Sequence, residues 1–379
     1  MQINQIYAQH LEQKCRALFL YTDLTRDVDD AKTLTLLQSM VKYNYAQIWG
    51  IVTNSYVANH RARVLEQMQR HFGQQLTIGA GSCYPLGQEN ERPLLLDYFK
   101  THQINDESYE GLNMKALNLQ GYQFFSEPIQ MLHQSLYWAS GQDRKLDIVC
   151  LSPLTDLAQY VIKNKNMLLM HGGSLTIQGQ GMIVEIDGKK RMVPDPAAYN
   201  LSEDFTAAKI IFDELQDFMP INLLGKWAAY EIKFFKEEFS EFGRMTNPVG
   251  AYLETAAHKG LECFHRRRKK VCEMLYCAGK EVETENLIEN CTPLSNAYDE
   301  TALLALMAPK LFTPDIFEIP GKICSRDPES GVALISDSPI PIQHRLIGME
   351  KDKSCVNDPA IVKSIIKAGI LDTLSVPSP

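Results

Sequence analysis

The sequence lacks the features that mark membrane, secreted and nucleic-acid-binding proteins. Its 379 residues contain no apolar run of about 18 residues, the minimum for a membrane-spanning helix. The first residues, MQINQIYAQHLEQKC, lack the basic and then apolar segments of a secretory signal. A cytoplasmic protein without a membrane partner is therefore predicted. The net charge of −8 provides no basic field for a polyanion, so nucleic acid is not an expected partner.

Cysteine is used in a way that excludes two kinds of scaffold. The nine cysteines are odd in number, scattered along the chain and free of C-x-x-C pairs. Neither a disulfide framework nor a structural zinc site is therefore predicted. With 45% hydrophobic and 22% charged residues, the composition is that of an ordinary globular protein with one large domain or two smaller ones.

Short apolar runs alternate with helical periods in the first part of the chain. This pattern predicts an α/β fold in which a mostly parallel sheet is flanked by helices. Asp29 to Tyr43 is predicted to be a helix, and the pattern is mainly helical from Asn247 to Met307. The main domain is placed at residues 1–337, with 338–379 as a C-terminal extension packed on it. The predicted strands are ALFLYT, AQIWGIVTN, LTIGAG, LDIVCL, MLLMHGG and MPINLLG.

A hairpin signal interrupts this alternation. The segment MIVEIDGKKRMVP has two strand-like halves around Asp187 and Gly188, a dipeptide that favours a tight turn. It follows a predicted strand, where active-site loops lie in such folds. The hairpin is therefore predicted to be either a lid over a pocket or an edge ribbon.

Four aspartates lie close together where the first strand passes into the first helix of the alternating region. Asp23, Asp27, Asp29 and Asp30 occur within the segment TDLTRDVDDAKTLTLL. Aspartate is common at helix starts, where it accepts free backbone N–H groups, so one or two of the four need no further explanation. Four carboxylates repel one another, however, and a hard cation with oxygen ligands would relieve that repulsion.

Several segments together resemble one enzyme family. The acidic turn that ends in Asp29, Asp30 and Ala31 resembles the D-x-D-P-G-x-D-D-A signature of the inosine-uridine preferring nucleoside hydrolases. The resemblance covers about residues 17 to 337 and implies an α/β sheet with the active site at the strand ends. Further segments match the family's landmarks in the family's order: GIVTN, IGAGSCYPL, LSPLTDLA, MHGGS, AYNLSEDFTAAKIIF and YDETALLALMAPKLF.

The resemblance also implies a reaction and a cofactor. The reaction is metal-dependent hydrolysis of the N-glycosidic bond of a ribonucleoside or related N-riboside, which gives ribose and free base. The cofactor is Ca²⁺, with Mg²⁺ as the alternative, and it positions a water for attack on the anomeric carbon. Matched residue by residue, the family's site corresponds to Asp30, Asp299 and the Leu151 carbonyl for the metal, and to Asp29, Asn54 and Asn200 for the substrate.

The signature departs from the family at one catalytic position. Counting back from Asp29 and Asp30, Asp23 falls on the first aspartate of the signature and Thr25 on the second, which is the family's metal ligand and general base. A threonine hydroxyl has neither the charge nor the pKa for that work. Either Asp27 reaches into the vacant position, or Asp23 does so from a loop that is longer in space. The first register keeps Asp-Asp-Ala at the helix start and is preferred; the second stays open.

A second departure concerns the leaving group. Tyr298 replaces the histidine that helps to protonate the leaving base in many members of the family. Tyrosine, with a pKa of about 10, is less suited to that role. The predicted small-molecule substrate is therefore a nucleoside-like or nicotinamide-type N-riboside rather than a usual purine or pyrimidine nucleoside.

Two hypotheses from different classes follow. The first is a metal-dependent N-ribosyl hydrolase in which Asp23, Asp27 and Tyr298 are the candidate catalytic residues. The second is a catalytically inactive protein that uses the same pocket to bind a ribosyl ligand or a partner. A phosphatase interpretation of FLYTDLT is weaker, because the motif lacks the second aspartate that such enzymes use. The resemblance is also compatible with a homo-oligomer, since family members are often dimers or tetramers.

Overall fold

The structure is a computed structural model that describes residues 3–12, 15–25, 27–55, 58–87, 125–261, 293–327, 333–336 and 338–378. Part of the helical pattern predicted between Asn247 and Met307 lies outside these ranges. The strands are β1 (Arg16–Thr22), β2 (Ala46–Thr53), β3 (Ile78–Ala80), β4 (Leu146–Cys150), β5 (Gly172–Gln178), β6 (Gly181–Ile186), β7 (Lys189–Pro194), β8 (Ile221–Leu224), β9 (Lys233–Phe234), β10 (Ser295–Asn296), β11 (Asp315–Gly321), β12 (Cys324–Arg326), β13 (Ala333–Ile335) and β14 (Ile340–Ile347).

The helices are α1 (Ile3–His10), α2 (Asp29–Lys42), α3 (Ala58–His71), α4 (Pro128–Gly141), α5 (Thr155–His171), α6 (Tyr199–Glu203), α7 (Phe205–Leu215), α8 (Lys226–Tyr230), α9 (Lys236–Gly243), α10 (Tyr298–Met307) and α11 (Pro359–Leu374). Residues 248–261 form a further helical segment between α9 and α10. Among the described residues, no helix combines the length and the apolar character needed to span a bilayer.

An eight-stranded sheet forms the centre of the fold, in the order β11-β14-β8-β5-β4-β1-β2-β3. Every neighbouring pair is parallel except β11 and β14, which are antiparallel. The predicted mostly parallel α/β fold is therefore confirmed. Because parallel strands end at the same edge, the loops that follow β1, β2, β4, β5 and β8 meet at one side of the sheet.

The core lies on both faces of this sheet. Alternate residues of β1 point to opposite faces: Leu18 and Leu20 pack with α2, α10 and α11, whereas Phe19 and Tyr21 pack with α4, α5 and α7. Both faces are covered by helices, which explains why β1 is an almost continuous apolar run rather than an alternating one.

One predicted strand is wrong. The segment MLLMHGG was predicted to be a strand, but Met167–His171 belongs to the end of α5, and β5 begins only at Gly172. A short apolar run has the same composition in a buried helix end and in a buried strand, so periodicity alone cannot separate the two. The landmark MHGGS therefore spans a helix-to-strand junction.

The C-terminal residues are part of the sheet. β14 pairs with β8 on one side and with β11 on the other, so residues 340–347 form an internal strand. α11 packs against α2. Asp358 begins α11, because its side chain accepts hydrogen bonds from the backbone N–H groups of Ala360 and Ile361. The boundary placed after residue 337 thus precedes a strand that the central sheet uses internally.

The hairpin predicted around Asp187 and Gly188 is present. β6 and β7 pair as a separate two-stranded antiparallel sheet. Both turn residues have positive φ, 50° for Asp187 and 73° for Gly188, as the tight hairpin turn requires. The ribbon carries exposed apolar side chains at Met182 and Ile183.

A buried histidine predicts a pH-dependent stability. His344 on β14 is fully buried, its Nδ1 accepts the Ile221 N–H at 3.2 Å, and burial lowers its pKa from 6.5 to about 4. Between these two pKa values, His344 is therefore protonated in the unfolded chain and neutral in the folded chain. We expect the free energy of unfolding to fall by about 3 kcal/mol as the pH falls through this window.

Urea unfolding of the wild type and of His344→Asn at about pH 7 and about pH 4.5 measures this contribution. Asparagine can accept the same hydrogen bond without titrating. Equal losses of stability in the two proteins on acidification would contradict the assignment to His344.

Candidate active site

The acidic loop follows β1 and therefore lies at the carboxyl edge of the sheet. β1 ends at Thr22 and α2 begins at Asp29, and the connecting loop is partly interior because Asp23 and Thr25 are buried. The residue that precedes the helix, Val28, makes no side-chain capping hydrogen bond. Helix capping therefore does not account for the number of acidic groups in this loop.

Three aspartates meet at the start of α2. One carboxylate oxygen from each of Asp27, Asp29 and Asp30 lies within 4.8 Å of the other two. Asp29 and Asp30 are buried, whereas Asp27 is exposed. The Asp30 carboxylate accepts a hydrogen bond from the Thr22 hydroxyl, and Asp29 Oδ1 accepts one from the Asp30 backbone N–H at 3.1 Å. The cluster therefore contains two buried carboxylates and one that is exposed to solvent.

The negative charges of this cluster act on one another and on Asp299. Burial raises the pKa of Asp30 well above its usual value, and the charges of Asp23 and Asp27 raise it further, against the hydrogen bond from Thr22. Burial likewise raises the pKa of Asp299 near the start of α10, followed by the charges of Asp30 and Asp27. Two elements far apart in the sequence therefore contribute carboxyl groups to one electrostatic site.

Asp23 is held by a buried arginine. Arg61 of α3 is fully buried, its Nη1 donates to the Asp23 backbone carbonyl, and the same atom lies 3.6 Å from Asp23 Oδ2. The positive charge of Arg61 also lowers the pKa of Asp30 slightly, against the larger effect of burial. Of the two candidate catalytic carboxylates, the structure brings Asp27 into the group with Asp29 and Asp30.

Thr25 has an unusual backbone and an unused hydroxyl. Its φ is 86°, in the left-handed region that β-branched residues rarely adopt. The residue is fully buried, and among the described residues its Oγ1 has no hydrogen-bond partner. Aspartate and asparagine tolerate this backbone conformation better than threonine does. The backbone at this position therefore suits aspartate or asparagine better than threonine.

The two asparagines predicted to bind sugar brace the turn that follows β4. Asn200 Nδ2 donates to the Leu151 carbonyl at 2.9 Å and to Gln178 Oε1 at 2.8 Å. Asn54 Nδ2 donates to the Pro153 carbonyl at 3.0 Å, and its Oδ1 has no partner among the described residues. The Leu151 carbonyl keeps a second lone pair, which can still face a cation.

A row of aromatic rings extends from Tyr298. The Tyr298 ring lies 5.8 Å from that of Tyr230, which lies 5.3 Å from the partly buried Trp227. Lys226 Nζ is 5.2 Å and Lys351 Nζ is 6.0 Å from the centre of the Trp227 ring. The side of the site that bears Tyr298 is therefore aromatic and ends in positive charge.

A narrow cleft opens to solvent next to Asn54, whose side chain donates to the carbonyl of Pro153 in the wall of the cleft. Asp156 anchors one wall, because its Oδ1 accepts hydrogen bonds from the Ser82 N–H at 2.8 Å and the Ser82 hydroxyl at 3.0 Å. Asp156 therefore has a structural role. The cleft is lined by Ser55, Ser82, Cys83, Tyr84, Pro85, Pro153, Thr155 and Glu203.

These groups fit a hard divalent cation. Asp27, Asp29 and Asp30 offer converging carboxylate oxygens, Asp299 adds a fourth carboxyl group, and the Leu151 carbonyl has a free lone pair. Oxygen ligands of this kind are those that Ca²⁺ and Mg²⁺ prefer. Burial and then the charges of neighbouring aspartates raise the pKa values of Asp30 and Asp299, and a cation would offset those charges.

The structure adds residues that the sequence did not single out. Arg61 lies against Asp23, and the buried hydroxyl of Tyr252 has no hydrogen-bond partner among the described residues although the charge of Asp30 acts on it. Lys32 and Glu300 form a buried ion pair between α2 and α10. A single charged residue in a helical pattern usually faces solvent, so no local signal marks these positions as interior.

Solved structures of other proteins match this chain over almost its whole length. No protein-family model matches the chain, and no curated protein matches it. The solved structure of the type III effector protein XopQ, complexed with adenosine diphosphate ribose, is 18% identical with a TM-score of 0.74, and the match covers 98% of each chain. The plant nucleoside hydrolase PpNRh1 is also 18% identical, with a TM-score of 0.60 over 96% of this chain and 100% of the other.

A third structure extends the comparison to a bacterial enzyme. The purine-preferring ribonucleoside hydrolase from Gardnerella vaginalis is 14% identical, with a TM-score of 0.60 over 95% of this chain and 99% of the other. At such identities the similarity shows the fold and leaves the chemistry to the site residues. The chain therefore has the nucleoside hydrolase fold, as the sequence resemblance implied, and is a divergent example of it.

Proposed function

We propose that the protein is a metal-dependent hydrolase of an N-riboside, with the cation held by Asp30, Asp299 and the Leu151 carbonyl. The observation that supports this most directly is the convergence of Asp27, Asp29 and Asp30, with oxygen atoms within 4.8 Å of one another, at the carboxyl edge of the sheet. Ligands bind at this edge in α/β proteins. The fold adds support, because structures with this fold include nucleoside hydrolases.

The residues of the chain divide the work between binding and proton transfer. Asp29 holds the ribose hydroxyls beside the cation, and Asp27, which is exposed, accepts a proton from the attacking water. When bound, the cation supplies positive charge that makes this water more acidic. The carboxylates also stabilise the positive charge that develops on the ribose ring as the glycosidic bond breaks.

The leaving group is expected to need little protonation. Tyr298 stands where many nucleoside hydrolases have histidine, and a phenol with a pKa of about 10 is a weak acid catalyst at neutral pH. A nicotinamide-type base carries a positive charge while it is attached to ribose and leaves as a neutral molecule. It therefore requires no proton from Tyr298, and the aromatic row of Tyr298, Tyr230 and Trp227 could contact its ring.

We expect free ribose to be released from nicotinamide riboside at least about ten-fold faster than from inosine, uridine or adenosine. A reducing-sugar assay on these four N-ribosides, with added Ca²⁺ or with a chelator, measures this. Chelation should reduce release to the background rate. The absence of ribose release from every substrate, with Ca²⁺ present, would count against hydrolysis as the function.

A second candidate function is binding of a ribosyl ligand without turnover. Thr25 supports it, because the position of the family's general base lacks a carboxylate. The similar effector structure was solved with adenosine diphosphate ribose, which makes this compound the natural probe. Thermal stabilisation by adenosine diphosphate ribose without release of ribose from any compound would favour this candidate over hydrolysis.

A further inference from the structure

A buried ion pair joins the two helices that begin at the candidate cation site. Lys32 lies in the first turn of α2, two residues after Asp30, and Glu300 follows Asp299 in α10. Lys32 Nζ lies 2.6 Å from Glu300 Oε1, and both side chains are fully buried. The pair therefore connects α2 and α10 immediately beside the aspartates that each helix contributes.

The surroundings of the pair are apolar. Lys32 Nζ lies 4.6 Å from the centre of the Phe234 ring and 5.9 Å from that of Phe239, and both rings are fully buried. Among the described residues, neither charged group has a further hydrogen-bond partner. Each charge thus depends on the other, with the aromatic faces as the remaining favourable contact for the ammonium group.

Such a pair is a poor means of stabilising a helix contact. The transfer of two charges from water into an apolar interior opposes their mutual attraction, and apolar side chains of similar volume often stabilise a protein as well or better. The pair does specify geometry, because a shift of one helix along the other would leave two isolated buried charges. A role in setting the register of α2 against α10 is therefore a better explanation than stability.

The site has a reason to need this register. Asp30 and Asp299 lie beside the ion-paired residues of the two helices, and two carboxylates that share one cation repel each other when the cation is absent. That repulsion favours separation of the two helix starts. An attractive contact beside these residues opposes the separation.

We propose that Lys32 and Glu300 form a positioning clamp, which holds Asp30 on α2 and Asp299 on α10 at the spacing that one divalent cation requires. This inference rests on the proposed function, since it assumes the cation site. The clamp touches neither substrate nor cation and acts only through the two aspartates. Its removal should therefore change cation affinity without a matching loss of stability.

The test replaces both charges by apolar side chains. Lys32→Met/Glu300→Leu leaves the net charge unchanged, so the overall attraction for a cation is preserved. We expect its urea midpoint to equal or exceed that of the wild type, while its affinity for Ca²⁺ falls by about 10- to 100-fold, the range seen when groups behind metal ligands are removed. Calorimetric titration of the chelator-treated protein with Ca²⁺ measures the affinity independently of any activity.

A matched control removes an ion pair elsewhere. Lys165 Nζ on α5 lies 2.5 Å from Glu214 Oε2 on α7, and both side chains are partly exposed. Lys165→Met/Glu214→Leu makes the same chemical change and should leave the Ca²⁺ affinity unaltered. Glu300→Asp is a second probe for the case in which Lys32→Met/Glu300→Leu does not fold. It keeps the charge but shortens the side chain by one methylene, and it should also lower the affinity for Ca²⁺.

The outcomes separate the clamp from the proposed function. Wild-type affinity for Ca²⁺ in both Lys32→Met/Glu300→Leu and Glu300→Asp, with the wild type itself binding, would overturn the clamp alone. Absence of Ca²⁺ binding by the wild type would overturn the proposed cation site and the clamp with it. A loss of affinity that the Lys165→Met/Glu214→Leu control shares would also overturn the clamp, because the effect would then not be local to the two helix starts.

Discussion

Replacement of Asp30 by asparagine is expected to reduce both ribose release and Ca²⁺ affinity by more than about 100-fold, beyond the usual effect of residues behind the metal ligands. Asp30 is buried, and its carboxylate lies within 4.8 Å of those of Asp27 and Asp29. Asparagine keeps the shape and can still accept the hydrogen bond from Thr22, so the loss would report the missing charge. Initial rates and calorimetric titration with Ca²⁺ are the measurements.

The same substitution should stabilise the protein in the absence of a cation. The pKa of Asp30 is raised above its ordinary value of 3.8, so the wild type loses stability as the pH rises from about 4 through the folded-state pKa. Asparagine does not titrate and avoids that loss. At about pH 7, with chelator, we expect the free energy of unfolding of Asp30→Asn to exceed that of the wild type by about 0.5 to 2 kcal/mol. This difference should disappear below about pH 4.

Asp147 provides a matched control at the opposite end of the sheet. Its buried carboxylate accepts hydrogen bonds from Arg16 at 2.8 Å and from the Ser174 N–H at 2.9 Å. Asp147→Asn should therefore lower stability, because Arg16 loses the charge of one of its two carboxylate partners, and should leave Ca²⁺ affinity unchanged. Unchanged Ca²⁺ affinity in Asp30→Asn would contradict the proposed role of Asp30 as a ligand.

Replacement of Thr25 by aspartate is expected to increase ribose release by about 10²-fold, the lower end of the range that a positioned general base contributes, because a buried carboxylate would be held more firmly than the exposed Asp27. The position is fully buried, its hydroxyl has no hydrogen-bond partner among the described residues, and its φ of 86° suits aspartate better than threonine. A carboxylate there would add both a cation ligand and a base of suitable pKa. Steady-state rates on nicotinamide riboside and inosine measure the gain.

Two further substitutions isolate the carboxylate from the backbone. Thr25→Asn has nearly the same shape and backbone tolerance as Thr25→Asp but no negative charge, and Thr25→Gly relieves the backbone without any side chain. Neither should raise the rate appreciably. An equal gain in Thr25→Asn would assign the effect to backbone strain, and no gain in Thr25→Asp would contradict the expectation that a buried carboxylate is a better base than the exposed Asp27.

The acidic turn can be aligned with the family signature in two registers, and the spacing of its aspartates does not distinguish them. The spacing from Asp23 to Asp27 equals the spacing between the second and third aspartates of the family pattern, so sequence could not choose between Asp23 and Asp27. In the structure Arg61 engages Asp23, and Asp27 lies in one group with Asp29 and Asp30. After burial, the charges of both Asp23 and Asp27 raise the pKa of Asp30, so the choice of Asp27 as the base stays a prediction. Arg61 is more than thirty residues from Asp23 and lies on α3, whereas Asp23 lies in the loop after β1, so no local pattern could reveal the contact.

The predicted strand MLLMHGG failed for a related reason. Its residues are apolar enough for a buried strand, yet Met167–His171 form the end of α5, and the strand starts at Gly172. The segments ALFLYT and LDIVCL succeeded because they follow polar residues and are too short for a helix of typical length. Periodicity is therefore informative where its boundaries are marked and ambiguous where a helix runs directly into a strand.

The sequence by itself determined the α/β class, the order of the βα units and the acidic turn before α2, because hydrophobic periodicity and short spacings are local properties of the chain. Only the tertiary structure decided that β14 enters the central sheet, that Arg61 engages Asp23, and that Lys32 meets Glu300 in the interior. These contacts join residues that are distant in the chain. Which of them form depends on how whole elements pack, since burial and apolar surroundings decide which charges are brought together.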